Sequence, residues 1–404
     1  MSVEPELGEV PSIDSVLADP YPLLSLYRER GEIVFSPVEK SWIVTSHAAV
    51  IDVLRATSDF SNHSNGIERI LQGADGAAHL TTRRAINSAF SPEILEVIEP
   101  ILRDAAQASI AHAVSRSSVE AISLLAQPMP MKVFSELTGA SNVDGASLIR
   151  WGHSISAHAR LISPSNRLSV NARRMLTRSV RRFSDPTYRE FLEAKELISS
   201  LLRNAGSGGS STPLMSSLRR LADNGAAEWD DVIGVGLEFI FASTETTMGL
   251  LGFMIKRLAE DRDFMKQLKE DDALREPFIE EVLRFESPVM KLNRRVKRPT
   301  TIRGRTLSAG DRVYAVIAAA NRDPEVFERP NDFDPSRSPN NHLAFGMGPH
   351  ACPGARLARL EARIFLDEFL AHVERVQIET ARASITYRGL GVTRSIAEMH
   401  IELS

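Results

Sequence analysis

Apolar residues recur at helical spacing over most of this 404-residue chain, and strand-like alternation is confined to short stretches. The spacing predicts a short helix over Asp19–Arg30. Ile33–Phe35 and Trp42–Val44 alternate like a strand pair, and helical spacing resumes over Ala48–Leu54. Ser61–Gly76 is polar, contains glycine and reads as a loop. From Ala77 to about Leu202 most windows fit amphipathic helices, broken near Pro92, Pro128/Pro130 and Ser163-Pro164. Ala205–Pro213 (AGSGGSSTP) reads as a linker or as a helix–helix connection.

Asp230 to about Ala259 is different. Val232, Ile233, Leu237, Ile240, Phe241, Leu251 and Met254 surround this helix instead of striping one face, which places it in a core. Yet Glu238, Ser243, Thr244, Glu245, Thr246 and Thr247 lie within it. Buried acids and hydroxyls are costly unless paired or functional. Further on, Glu276–Phe285 reads as a helix, and Ile302–Ile317 as strands turning at Ala309-Gly310. Pro353–Val373 reads as a helix with proline at its first position, and Gln377 onward is strand-like. There are no internal repeats and no βαβ regularity, so a doubly wound sheet is not expected.

Composition narrows the class. A chain of this length buries a large core without staples. One cysteine excludes an internal disulfide, a four-cysteine zinc site and an all-cysteine iron–sulfur cluster. A net charge of −4 leaves no nucleic-acid footprint. The N-terminus is acidic and broken by prolines, and no window holds an uninterrupted apolar run long enough to span a bilayer, so a cytoplasmic protein with no membrane anchor is expected.

The one cysteine, Cys352, lies in Phe345-Gly-Met-Gly-Pro-His-Ala-Cys-Pro-Gly354, a tight loop feeding a helix. A thiolate there sits near the positive end of that helix, and freed backbone N–H groups are placed to tune it. The spacing Phe345-x-x-Gly348-x-His350-x-Cys352-x-Gly354 resembles the haem-binding loop of the cytochrome P450 family. The resemblance implies Cys352 as axial ligand of a haem b iron, within a loop shaped by Phe345, Gly346, Gly348 and Gly354. Proline replaces the leucine more usual after the cysteine.

Further motifs follow in the family's order. Glu281-Val-Leu-Arg284 resembles the E-x-x-R helix, and Phe333-Asp-Pro-Ser-Arg337 the segment whose arginine completes a buried Glu–Arg–Arg network. The resemblance assigns Glu281, Arg284 and Arg337 to fold and haem loading. Ala319-Ala-Asn-Arg-Asp-Pro324, with Phe327 and Pro330, resembles the approach to the family's meander. His79-x-x-x-Arg83, Arg294 and His350 fall where the family holds haem propionates, and buried anions need such charge-assisted donors.

Ala242-Ser-Thr-Glu-Thr246 resembles the oxygen-activation motif, with Ala242 against the haem and Glu245 and Thr246 as the acid–alcohol pair. The pair needs an acid with access to water and a hydroxyl near the distal oxygen. Ser243 stands where glycine is usual, so its side chain is expected to narrow the oxygen groove or to bind water. Glu238, Ala242 and Thr246 share one helix face. Glu238 is read either as a pocket residue favouring a polar or cationic substrate group or as a glutamate facing solvent or an outside arginine. By family position, Phe241, Val289, Met290, Leu292 and Val392 line the pocket, with Ser61–Gly76 and His158–Ser163 as its roof.

The implied fold is the mainly α P450 fold: one domain over residues 1–404, with a β-rich lobe from about 30–60, 290–320 and 375–404 and an α-rich core over 77–290 and 353–373. The implied activity is monooxygenation of a small organic substrate by dioxygen, with electrons from NAD(P)H through a ferredoxin, in a monomer. Alternatives are oxidative coupling, desaturation or nitrogen oxidation, or a haem sensor without turnover. Arg84, Arg356 and Arg359 are expected on the cysteine side, as docking charges for an acidic partner or as solvated charges.

Overall fold

The computed structural model describes residues 13–62, 73–116, 118–162, 186–205, 211–379, 385–389 and 392–404. In chain order the helices are α1 (Ile13–Ala18), α2 (Tyr21–Arg30), α3 (His47–Arg55), α4 (Gly76–Asn87), α5 (Pro92–Val114), α6 (Pro128–Thr138) and α7 (Gly145–Ile162). There follow α8 (Pro186–Ala205), α9 (Pro213–Asp223), α10 (Trp229–Glu260), α11 (Arg262–Glu270), α12 (Arg275–Glu286), α13 (Ile317–Ala320) and α14 (Ala355–His372). The strands are β1 (Ile33–Ser36), β2 (Ser41–Val44), β3 (Phe60–Ser61), β4 (Ser118–Glu120), β5 (Leu292–Val296) and β6 (Thr300–Ile302). The remaining strands are β7 (Arg305–Leu307), β8 (Arg312–Ala315), β9 (Val376–Ile378), β10 (Thr386–Arg388), β11 (Ser395–Glu398) and β12 (His400–Leu403).

The central element is α10. Glu228 caps its start reciprocally with Asp231, and Asp230 and Asp231 suit the positive end of the helix. Most of its 32 residues are buried, as an all-round apolar helix requires, and α6, α7, α8, α12, α14 and β11 pack around it. A smaller core lies under a five-stranded sheet of order β1-β2-β8-β5-β3, where Val44, Val50, Leu54, Phe60, Val296 and Val313 meet. Side chains alternate on such strands. Arg294 pairs across from Val313, and Leu292 from Ala315.

Several boundaries differ from the sequence reading. Asp19 and Pro20 separate α2 from α1, so the helix read from Asp19 begins at Tyr21, with α1 as an additional turn before it. The helical stretch after Ala77 is interrupted by β4 and a π-turn at Ile122–Ala126, while Pro100 stays inside α5. An additional turn at Arg303-Gly304, both at positive φ, splits β6 from β7. The helix after the cysteine starts at Ala355 with Gly354 as cap, so Pro353 precedes it and is not its first residue. The C-terminal strands do not join the five-stranded sheet: β12 lies between β4 and β9, and β10 pairs with β11 against α10. Of the expected pocket roof, residues 63–72 and Ser163 lie outside the described residues, as do 206–210 of the linker-like stretch and the break at Ser163-Pro164.

Candidate functional site

The loop before α14 is held by its own backbone. Gly346 N–H donates to Leu343 O at 2.8 Å, Cys352 N–H to Phe345 O at 2.8 Å, and Ala351 N–H to Gly348 O at 3.0 Å. Gly348 adopts φ +77°, and a Cβ there would stand 3.0 Å from the Leu54 carbonyl oxygen, so only glycine fits. Arg359 stacks over the Phe345 ring at 4.4 Å, and Leu292 Cδ1 lies close beside Gly346.

Cys352 retains exposed surface, yet protein surrounds it closely enough that burial pushes its thiol up. Opposing the burial are a hydrogen bond from the Gly354 amide and the charges of Arg83 and Arg359. A thiolate with an amide donor and two guanidinium groups nearby is suited to hold a metal centre. Among the described residues no group of three or more His, Cys, Asp or Glu forms a protein-only metal cage.

Against His350 of this loop, α4 brings His79 and Arg83, and β5 brings Arg294. The His79 and His350 rings lie 4.0 Å apart. Burial first, then the charges of His79 and Arg294, hold His350 down to about 3. Arg294 is buried, and burial lowers its guanidinium to about 10 against a partial offset from Asp75. Its Nη1 donates to Asn293 O at 2.8 Å. Burial also lowers His79 and Arg83. His79 Nε2 is buried without a hydrogen-bond partner. An orphaned imidazole nitrogen and under-compensated guanidinium groups converging on one spot fit a bound group that carries carboxylates, so the residues fit a haem and its propionates. Asp75 was missed in the sequence. It accepts from Ser61 Oγ at 2.5 Å and lies 3.7 Å from Lys297 and 3.9 Å from His350. Its position just before the first helical residue Gly76 is the only local signal.

On α10, Ser243, Thr244 and Thr246 each donate to the carbonyl four residues earlier, to Phe239, Ile240 and Ala242 at 2.5, 2.5 and 2.7 Å. Ser243 is thus bonded along its own helix, where the sequence reading placed it toward groove or water. Glu245 departs from the expected water-accessible acid. It is only 4% exposed, accepts from Ser395 Oγ at 2.8 Å, and pairs with Arg388 at 3.3 Å. Glu238 is buried and does not face solvent, and Arg83 and Cys352 both sense its charge. Ala242 and Phe241 are half-buried on adjacent faces of α10. The structure also joins Met290 to Val392, N–H to carbonyl at 2.8 Å, and bridges Val289 to Thr393.

Glu281 and Arg284 are both fully buried, with two guanidinium–carboxylate bonds of 2.7 Å. Arg284 also donates to the carbonyls of Asn321, Pro330 and Asp332, each at 2.9 Å. Arg337 reaches Glu281 at 3.4 Å, and the Asp334 amide and Asn340 also donate to it. Asn321, in turn, accepts from Leu343 N–H at 2.7 Å, which ties the network to the cysteine loop. Arg359, expected as a free docking charge, is engaged: it forms two 2.7 Å bonds to Glu280. Arg84 and Arg356 are exposed.

The family model "Cytochrome P450" matches residues 39–392. The chain belongs to the cytochrome P450 family. It is therefore a P450 monooxygenase, a haem-thiolate enzyme. Among P450 relatives, it is 28% identical to the erythromycin C-12 hydroxylase of Saccharopolyspora erythraea, over 84% of this chain and 83% of that protein. It is 27% identical to the beta-dihydromenaquinone-9 omega-hydroxylase of Mycobacterium tuberculosis, over 94% of this chain and 76% of that protein. CYP109E1 of Bacillus megaterium, solved with testosterone, superposes with TM-score 0.84 at 24% identity, covering 97% of this chain and 99% of that one. P450BioI, solved with a fatty-acid-ligated acyl carrier protein, superposes with TM-score 0.83 at 22% identity, over 96% and 100%. These two show that the mainly α fold is the P450 fold. Among the described residues no helix is long and apolar enough to cross a membrane.

Proposed function

We propose that this P450 hydroxylates a small organic substrate of secondary metabolism, taking electrons from NAD(P)H through a ferredoxin reductase and a ferredoxin, as a cytoplasmic monomer. The observation that carries the reading is the cysteine loop: Cys352 with its Gly354 amide donor, flanked by the His79, Arg83, Arg294 and His350 set. The hydroxylase names of two relatives support the reaction type. When bound, haem b supplies the iron at which dioxygen is reduced and split.

The protein's part follows from its residues. Cys352 would hold the haem iron through its thiolate, within the turn set by Phe345, Gly346, Gly348 and Gly354. His79, Arg83, Arg294 and His350 would hold the propionates. Ala242 gives the small side chain that would leave room for the cofactor beside α10. Thr246 uses its proton on Ala242 O and keeps acceptor capacity for a second donor. Glu245, one residue before it, is the acid that passes protons on, with the Ser395 hydroxyl rather than bulk water donating to it. Val289, Met290, Leu292, Val392 and Phe241 form the apolar wall, and Glu238 selects a polar or cationic substrate group. Glu281, Arg284 and Arg337 hold the loop that presents Cys352. The exposed Arg84 and Arg356 receive an acidic redox partner.

The test is a compound screen by spin-state shift of the haem band, then product analysis with a surrogate ferredoxin and reductase. A shifting compound should return a product one oxygen heavier. Nucleotide consumption without oxygenated product across all shifting compounds overturns the reading in favour of a sensor, and dehydrogenated or coupled products overturn hydroxylation. Unchanged affinity for an amine-bearing compound in Glu238→Gln removes the role given to Glu238.

A further inference from the structure

The acid of α10 is not placed by its own helix alone. Arg388 on β10 and Ser395 on β11 are direct cross-strand partners, so their side chains share one face of the hairpin. Both reach the same carboxylate oxygen: Ser395 Oγ donates to Glu245 Oε1 at 2.8 Å, and Arg388 Nε lies 3.3 Å from it. Arg388 Nε also donates to Ser395 Oγ at 3.3 Å, closing a triangle, and its Nη2 reaches Met248 Sδ at 3.3 Å. Gly249 allows this approach. A Cβ there would stand 3.3 Å from Ser395 Cβ and 3.6 Å from the Arg394 carbonyl, one turn beyond Glu245. The hairpin also borders the pocket wall, because Val392, three residues before Ser395, accepts from Met290 N–H.

We propose that Arg388, with Ser395, is a positioning residue for oxygen activation: the C-terminal hairpin holds the Glu245 carboxylate where it delivers protons. The inference rests on the reading of Glu245 and Thr246 given above. A productive turnover takes one dioxygen, two electrons from the external carrier and two protons; one oxygen atom enters a substrate C–H bond and the other leaves as water. When proton delivery is misplaced, the same two electrons and two protons leave as hydrogen peroxide. Misplacement of a catalytic group by ~1 Å costs on the order of a hundredfold in rate. Arg388→Gln in the haem-loaded enzyme should therefore cut product formed per nucleotide oxidised by about tenfold or more, with peroxide rising to match.

The carbon-monoxide band and the substrate spin-state shift should stay as in wild type, which a merely structural defect would not allow. Arg388→Lys should recover part of the coupling, and Ser395→Ala, a milder change, should lower it in the same direction. A readout independent of turnover is the thermal midpoint of Arg388→Gln, Glu245→Gln and the double variant, which should be clearly non-additive. Additive midpoints, or unchanged coupling in Arg388→Gln and Ser395→Ala while Glu245→Gln and Thr246→Ala uncouple, overturn the inference alone. If Glu245→Gln and Thr246→Ala also leave coupling unchanged, the reading beneath it fails. Loss of the carbon-monoxide band in both Arg388→Gln and Ser395→Ala assigns the pair to stability and likewise overturns the inference.

Discussion

Glu286→Gln tests the electrostatics that hold the C-terminal segment in place. Glu286 is buried at the end of α12 and is shared by two guanidinium groups, Arg257 from α10 and Arg394, the latter at 2.9 Å. Arg394 also donates to the carbonyls of Leu17 and Ala18 at 2.6 and 2.8 Å, so one carboxylate joins α10, α12, the N-terminal segment and the strand leading to Ser395. Burial pushes this carboxyl up, but Arg257, Arg394 and Lys256 outweigh it and hold it at about 2, against an ordinary 4.5. A depression of that size corresponds to about 3 kcal/mol of stabilisation from the ionised form. At about 2.1 cal/mol/K per residue for unfolding entropy, that is about 4 °C in Tm for a chain of this length.

Because the folded-state pKa is the lower one, the contribution is complete well above pH 4.5 and is lost as the pH falls toward 2. Glutamine keeps the shape and removes the charge. The assay is thermal and urea unfolding of wild type and variant from pH 7 down to pH 3, read as the difference between them. That difference should be largest at neutral pH and shrink in acid. A difference that is absent at pH 7, constant with pH, or larger in acid refutes the reasoning.

Other expectations are as direct. Cys352→Ser should abolish the red-shifted carbon-monoxide band of the reduced protein, with no rescue, because the chain has no other cysteine. Glu281→Met leaves the fully buried Arg284 without its carboxylate and should cost about 3–5 kcal/mol, with loss of haem, more than Arg337→Met, whose contact with Glu281 is 3.4 Å; urea midpoints and haem content check this. Glu361 is buried on α14 with Oε2 unpartnered, and burial holds its carboxyl well above 4.5. A raised acid pKa means stability is lost as pH rises above 4.5, so Glu361→Gln should gain in Tm relative to wild type at pH 8 and lose that gain near pH 5.

Elements with strong local patterns were legible in the sequence. The all-round apolar run at 230–259 became α10 at 229–260, and the Ile33/Trp42 alternation became the β1–β2 pair. Where local signals conflict with packing, the reading failed. β4 is three residues whose strand state comes from pairing with β12, some 280 positions later. The cysteine loop, the E-x-x-R helix and the His79–Arg83 spacing were visible because each is a short segment of consecutive residues that resembles a motif of the family.

By itself, then, the sequence determined the residue types: one thiol in a glycine turn, an acid and an alcohol on a buried helix, and a small set of histidines and arginines at family spacing. Only the tertiary structure decided what those groups meet. Arg388 and Ser395 carry no local mark, yet they lie on the carboxylate of Glu245 from 143 and 150 positions away. Arg359, adjacent in sequence to the loop, is spent on Glu280 instead of a partner. A side chain's charge and shape are local properties. Its partner depends on which faces pack together, and that choice is made by burial over the whole core, where an ionised carboxylate is costly unless it meets donors.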